Sequence, residues 1–151
     1  MENYSYNPKS RKTRFAQARA DALNISPKEA REVAHNLRGL LVPQAERMLA
    51  GVIAKTKPIK FTRFNTELGH KPGIGPGRFP VNAATEFSTL VASAKANAKA
   101  KGLDEGRLYV ASAVANRSFH KRPGGARVFS KGPSNRSRRA NIQVVLEERK
   151  G

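Results

Sequence analysis

From Gly106 to Leu146 the chain carries Arg107, Arg117, Lys121, Arg122, Arg127, Lys131, Arg136, Arg138 and Arg139, and not one Asp or Glu. The two ends of this stretch differ from its middle. Leu108, Val110, Ser112 and Val114 alternate with Tyr109, Ala111, Ala113 and Ala115, and Ile142, Val144 and Leu146 alternate at the far end. That is the period of two of a β-strand. If the ends pair, they hold together the legs of an extended hairpin centred near Arg127. Fifteen residues of strand reach roughly 50 Å, well beyond a core of this size. So polar an arm is a solvated loop when alone. To fold it needs an outside surface, and its charge points to phosphate.

The totals agree. A chain of 151 residues supports one domain with extensions. It holds 29 Lys and Arg against 11 Asp and Glu, a formal net charge of +18. Self-repulsion on that scale calls for an anionic partner. Nucleic acid fits best, because each phosphate met by Lys or Arg releases condensed counterions. Cysteine is absent, which removes disulfides and thiolate metal sites and agrees with a reducing cytosol. No apolar run has signal or bilayer length. The basic residues also lack an amphipathic helix with Trp or Phe on its other face. Neither a membrane nor a second copy of the chain is expected as a partner.

The organisation is that of an α+β domain: three helices packed on a small antiparallel sheet, with a long protruding β-hairpin arm and a basic N-terminal tail. Residues 1–14, with Arg11, Lys12 and Arg14, read as the tail. Residues 15–151 read as a single domain that includes a loop at 56–79 and the arm at about 108–146. In Phe15–Ile25, the residues Phe15, Leu23 and Ile25 fall at odd positions between alanines, which suits a strand, though alanine also suits a helix. Ser26-Pro27-Lys28-Glu29 is a helix start, with Ser26 as N-cap and Glu29 closing a capping box. Ala30, Val33, Ala34 and Leu37 follow at helical spacing, and Gly39 supplies the stop. A second helix begins near Pro43, with Ala45, Met48, Leu49, Val52 and Ile53 on one face. It ends before Lys57-Pro58. Pro80 opens the longest helix, whose face is Ala84, Phe87, Val91, Ala94 and Ala98 and whose end is Gly102.

Other chemistries find little footing. The run Gly73-Ile74-Gly75-Pro76-Gly77 lacks a preceding strand and a Gly-Lys-Ser/Thr ending, and Pro76 removes an amide that a phosphate would need. It reads as a rigid turn among basic neighbours. His35, His70 and His120 are far apart and have no Cys or paired carboxylate at metal-ligand spacing; His35 is expected to be packed. Glu32, Glu46 and Glu86 read as solvated helix positions, and Asp104-Glu105 as a turn. No carboxylate cluster or nucleophile motif supports acid–base or metal-dependent catalysis. No enzyme, cofactor or metal is expected.

At Asn24-Ile25-Ser26-Pro27-Lys28-Glu29-Ala30-Arg31, with Arg38-Gly39 one helix later, the chain resembles a universal ribosomal protein family of the large subunit. The family is L-twenty-two in bacterial numbering and seventeen in eukaryotic numbering. The resemblance continues at Gly69-His70-Lys71, Ala96-Asn97-Ala98, Gly102-Leu103-Asp104 and Leu108-Tyr109-Val110, and closes at Ile142-Gln143-Val144-Val145-Leu146. It thus covers nearly the whole chain from about Phe15. The long 56–79 loop resembles the archaeal and eukaryotic branch, bacterial members being shorter there. The resemblance implies an α+β domain on the outer surface of the large subunit, near the exit of the nascent-chain tunnel. It also implies a long hairpin that runs inward through ribosomal RNA and lines the tunnel at its constriction. The tunnel-lining tip then falls at Arg122, Gly124, Gly125, Arg127, Val128 and Phe129, flanked by Lys121 and Lys131. Family members usually carry an Arg-Pro-Arg run before the tip. This chain reads Lys121-Arg122-Pro123-Gly124-Gly125-Ala126-Arg127, a local departure.

The expected function is therefore that of a structural constituent of the large ribosomal subunit, in the cytoplasm. It would bind ribosomal RNA, aid assembly, and contact neighbouring ribosomal proteins and the nascent polypeptide. The RNA-binding candidates are Arg11, Lys12, Arg14 and Arg19 near the N-terminus, and Lys28, Arg31 and Arg38 on or after the first helix. Lys60, Arg63, His70, Lys71 and Arg78 follow in the loop, and Arg117, Lys121, Arg122, Arg127, Lys131, Arg136, Arg138 and Arg139 in the arm. Phe119 and Phe129 are candidates for stacking on unpaired bases or, equally, for packing on the arm itself. The rival from another class is a DNA-compacting chromatin protein, which the charge suits equally well. A single asymmetric arm suits it less, since DNA-bending proteins commonly use paired arms.

Overall fold

The computed structural model describes residues 14–118 and 138–149. Strands β1 (Phe15–Leu23), β5 (Leu108–Arg117) and β6 (Ala140–Glu148) form one antiparallel sheet in the order β1-β6-β5. Helices α1 (Pro27–Leu37), α2 (Val42–Ile53) and α3 (Val81–Ala100) complete the core. Short strands β2 (Ile59–Lys60), β3 (His70–Lys71) and β4 (Gly75–Arg78) form a separate small sheet in the order β2-β4-β3. The α+β class and the β5–β6 hairpin are as expected.

β6 is the centre of the core. Ile142, Val144 and Leu146 turn one face towards the helices and are almost wholly buried. The expected face of α3 is buried throughout, and its small residues let it lie close to β1, where Ala16 and Ala18 point inward. Thus β1 is a strand, but its alternation is carried by alanines, with Phe15 and Leu23 only partly buried. Near its end the pairing slips between Ala20 and Leu23. Ala22 there takes φ 55°, and its amide donates to Asn141 Oδ1 at 2.8 Å.

β5 departs from its simple pattern. Val110 pairs with Leu146 and Ser112 with Val145, so Ala111 is an extra residue, a β-bulge. A one-residue insertion reverses every side chain beyond it. Leu108 and Val110 are buried, but after the bulge Ala113 takes the inward place expected of Ser112 and Val114.

Both sheet edges are partly covered. Along β1, Asn97 Nδ2 donates to Gln17 O at 3.0 Å and Lys101 Nζ to Phe15 O at 3.1 Å. Along β5, Val110 exchanges backbone bonds with Gly39 and Leu40 at 2.8 Å, and Arg38 Nε donates to Ala113 O at 2.9 Å. Gly39, the expected helix stop, takes φ 82° to bring the chain there. The capping box expected at the start of α1 is not made. Ser26 has no side-chain cap bond, and Pro27 together with the Ala30 N to Ser26 O bond at 2.9 Å sets the first turn.

The 56–79 stretch is more ordered than a loop. Gly77 is buried, and a Cβ there would meet Ile59 O at 2.9 Å and Ile74 Cδ1 at 2.8 Å, so only glycine lets β2 and β4 approach. What pins the segment to the core is Glu32, read from sequence as solvated but only 1% exposed. Its carboxylate accepts from Thr62 N at 2.8 Å, Thr62 Oγ1 at 3.1 Å and Arg63 N at 3.3 Å. Asn36, one turn later, donates to Lys60 O at 3.1 Å. His35, expected to be packed, is exposed.

Replacing Glu32 with Ala is expected to cost roughly 3 kcal/mol in urea-induced unfolding, since bonds to a buried charged acceptor are lost together. Hydrogen exchange at Thr62 and Arg63 should rise most; equal loss of protection across β6 would contradict a local pin. A second test concerns Tyr109, whose Oη donates to Glu147 Oε2 at 2.9 Å. That bond, then burial, then the Glu147 charge raise the phenol above its ordinary value of 10.0. Below pH 10 both folded and unfolded chains keep the proton, so the stabilisation is complete. Above it the unfolded chain deprotonates first, and stability falls as pH rises through the raised value. Tyr109→Phe should flatten this alkaline fall in chemical-denaturation curves.

Candidate nucleic-acid interface

The basic side chains divide by partner. Around α3 and the turn before β5 some cations are paired, whereas Arg47, Lys55 and Lys57 on and after α2 are exposed and make no salt bridge to a described carboxylate. Lys95 lies 3.4 Å from Glu46 and 4.0 Å from Glu105, Lys99 lies 3.7 Å from Glu105, and Arg107 lies 3.4 Å from Asp104. Arg14 reaches Glu148 at 3.8 Å and Arg19 reaches Asp21 at 2.8 Å. Such exposed pairs stabilise little, but they leave those cations partly neutralised.

Another set has no such partner. Lys28, Arg31, Lys60, Arg63, Arg78, Arg117 and Arg138 are exposed and make no salt bridge to any described carboxylate. His70 is exposed beside them on the small sheet, and Lys71 is half-buried with Nζ 5.7 Å from the Phe79 ring centroid. The small sheet and the pin on Glu32 hold Lys60, Arg63, His70, Lys71 and Arg78 on a fixed platform against α1. At the hairpin base, Ser118 N donates to Arg139 O at 2.9 Å, which places Arg117 and Arg138 at the end of the described ladder. Arg139 is half-buried, and its Nε has no hydrogen-bond partner among the described residues.

The fold brings three of these cations into one cleft. Lys28 comes from the first turn of α1, Arg78 from the end of β4 and Arg138 from just before β6. Arg38 stands apart, with Nε committed to the carbonyl beside the β5 bulge. Arg11, Lys12, Lys121, Arg122, Arg127, Lys131 and Arg136 lie outside the described residues, as do the tip positions Gly124, Gly125, Val128 and Phe129 and the stacking candidates Phe119 and Phe129. Among the described residues no group of His, Asp and Glu is placed to hold a metal ion, and no helix is long and apolar enough to cross a membrane.

Two contributors escaped the sequence reading. Glu32 lies off the apolar stripe of α1, and its burial comes from a segment some thirty residues later in the chain. The one local hint is that Glu32 and Asn36 share a face at i,i+4 spacing. Phe64 sits 44% exposed in a polar segment at φ 54°, with Lys28 Nζ 5.2 Å from its ring centroid. Its position in so polar a run was the available signal.

Comparison with known proteins gives the family. The family model described as ribosomal protein L22p/L17e matches residues 18–147. A protein of Thermoplasma acidophilum named large ribosomal subunit protein uL22 is 32% identical over 133 residues, covering 88% of each chain. Its namesake in Methanopyrus kandleri is 36% identical, covering 90% of this chain and 88% of its own. That of Methanothrix thermoacetophila is 34% identical, covering 97% and 96%. These are structural ribosomal proteins rather than enzymes, and the chain belongs to the ribosomal protein L22p/L17e family.

Proposed function

We propose that this ribosomal protein is a structural constituent of the large ribosomal subunit that grips ribosomal RNA mainly through phosphates, in the cytoplasm. The carrying observation is the convergence of unpaired cations. Lys28, Arg78 and Arg138 share one cleft and make no salt bridge to a described carboxylate, and Lys60 and Arg63 lie on the small-sheet segment beside it. Cations that a fold leaves unmatched on a rigid platform are matched from outside, and phosphate repeats at the needed density. The basic tail at 1–14, the platform at 56–79 and the arm beyond Arg117 serve as separate grips on different RNA segments, all carried by one domain over 15–151.

In this reading the arm runs from β5 and β6 inward along the exit tunnel. Arg122, Gly124, Gly125, Arg127, Val128 and Phe129 form the part nearest the nascent chain, and neighbouring ribosomal proteins complete the contacts. Family membership and the β5–β6 ladder, which runs from Leu108↔Glu148 to Arg117↔Ala140, support it. DNA compaction, which charge alone also suits, loses ground to the same family membership. A competition between duplex DNA and structured ribosomal RNA separates the two.

Binding of the isolated protein to large-subunit ribosomal RNA should weaken on the order of 10³-fold between 50 and 200 mM salt. A nearly flat salt response would remove the phosphate account. Replacing residues 119–137 with a two-residue turn should leave cooperative thermal unfolding intact while RNA affinity drops sharply. Loss of cooperative unfolding would instead make the arm part of the core.

A further inference from the structure

The cleft shared by Lys28, Arg78 and Arg138 has a volume of about 410 Å³, within the roughly 300–1,000 Å³ of ligand-sized sites. That is room for a small group, not for a double helix. Its chemistry is mixed. Phe61, 3% exposed, is part of its apolar lining, and Glu29 is the acidic residue among those that line it.

Phe64 is the unusual member. A bulky residue at φ 54° is an outlier, tolerated only where the surroundings enforce it. Here they do. Thr62 N and Arg63 N, just before it, are both held by the buried Glu32 carboxylate. The result is a phenylalanine, 44% exposed, in the lining of a cationic cleft. Burying that ring in the core would be the ordinary outcome for phenylalanine. Lys28 Nζ lies 5.2 Å from its centroid, and the ring surface that stays exposed is free to take a flat apolar group.

Each alternative occupant leaves part of this unexplained. A free inorganic anion needs the cations but not the ring. A duplex backbone needs neither the ring nor the concavity. An unpaired nucleotide uses all of it: a base face for Phe64, phosphates for the cations, and a ribose hydroxyl or exocyclic amine that can donate to Glu29.

We propose that this cleft receives a single unpaired nucleotide of ribosomal RNA, its base stacked on Phe64 and its flanking phosphates held by Lys28, Arg78 and Arg138. The assignment rests on the RNA-binding reading above and adds a base-dependent contact to it.

The test titrates the full-length protein at fixed moderate salt with pentaadenylate RNA and with its abasic counterpart, which has the same riboses and phosphates but no bases. Pentaadenylate should bind on the order of tenfold more tightly. Phe64→Leu should erase that preference without changing the thermal unfolding midpoint, and Phe64→Tyr should retain it. Equal binding of the two oligonucleotides overturns the proposal. So does a preference that survives Phe64→Leu, which would place the stacking on another ring. An equal loss for both oligonucleotides in Phe64→Leu also overturns it, by making Phe64 merely structural. If neither oligonucleotide responds to salt, the RNA-binding reading itself fails, a result distinct from the others.

Discussion

The structure depends on one strand being central. β6 is the last strand in the chain, yet it pairs with β1 on one side and β5 on the other, and β1 and β5 do not pair with each other. Until β6 arrives, the first strand has no strand to pair with and α3 has only part of its floor. The register joins Phe15 to Glu147 across almost the whole length of the chain. Closing so long a loop costs entropy before any contact repays it. The same event that completes the core also joins the two legs of the basic arm. The arm is therefore fixed to the sheet by its own strands, not attached to a domain already complete without it.

A three-stranded sheet has two open edges, and open edges recruit other strands. Here each edge is partly covered by material from the helical layer. Side chains of Asn97 on α3 and of Lys101 just after it occupy carbonyls of β1, and the turn after α1 bonds directly to β5. The bulge at Ala111 belongs to this arrangement, because it twists β5 where Arg38 and the Gly39–Leu41 turn meet it. These bonds occupy part of each edge, so the sheet offers less of its backbone to a foreign strand.

Much of the fold was legible in the sequence because it rests on local rules. Pro27 and Gly39 bound α1, Gly102 with φ 68° closes α3, and the alternation in β5 and β6 follows the period of a strand. What was not legible depends on distant contacts. The phase change in β5 follows from pairing against β6, and nothing in Leu108–Val114 alone announces an extra residue. The small sheet in 56–79 was read as loop because strands of two to four residues carry no periodicity to detect. Of the candidate site, residue type and charge marked Lys28, Arg78 and Arg138 individually. Their meeting in one cleft needed the fold, and Phe64 needed the bond that holds its neighbours.

The Glu32 pin bears on how such a chain can vary. The helix that carries it belongs to the core, whereas the segment it holds is an attachment on the outer side of that helix. In a relative with a shortened segment, a carboxylate at this position would face water and have no amides to receive. The acid and the long segment should therefore be gained or lost together across the family. One glutamate on α1 becomes the inherited trace of whether the platform, and the cleft built on it, is present at all.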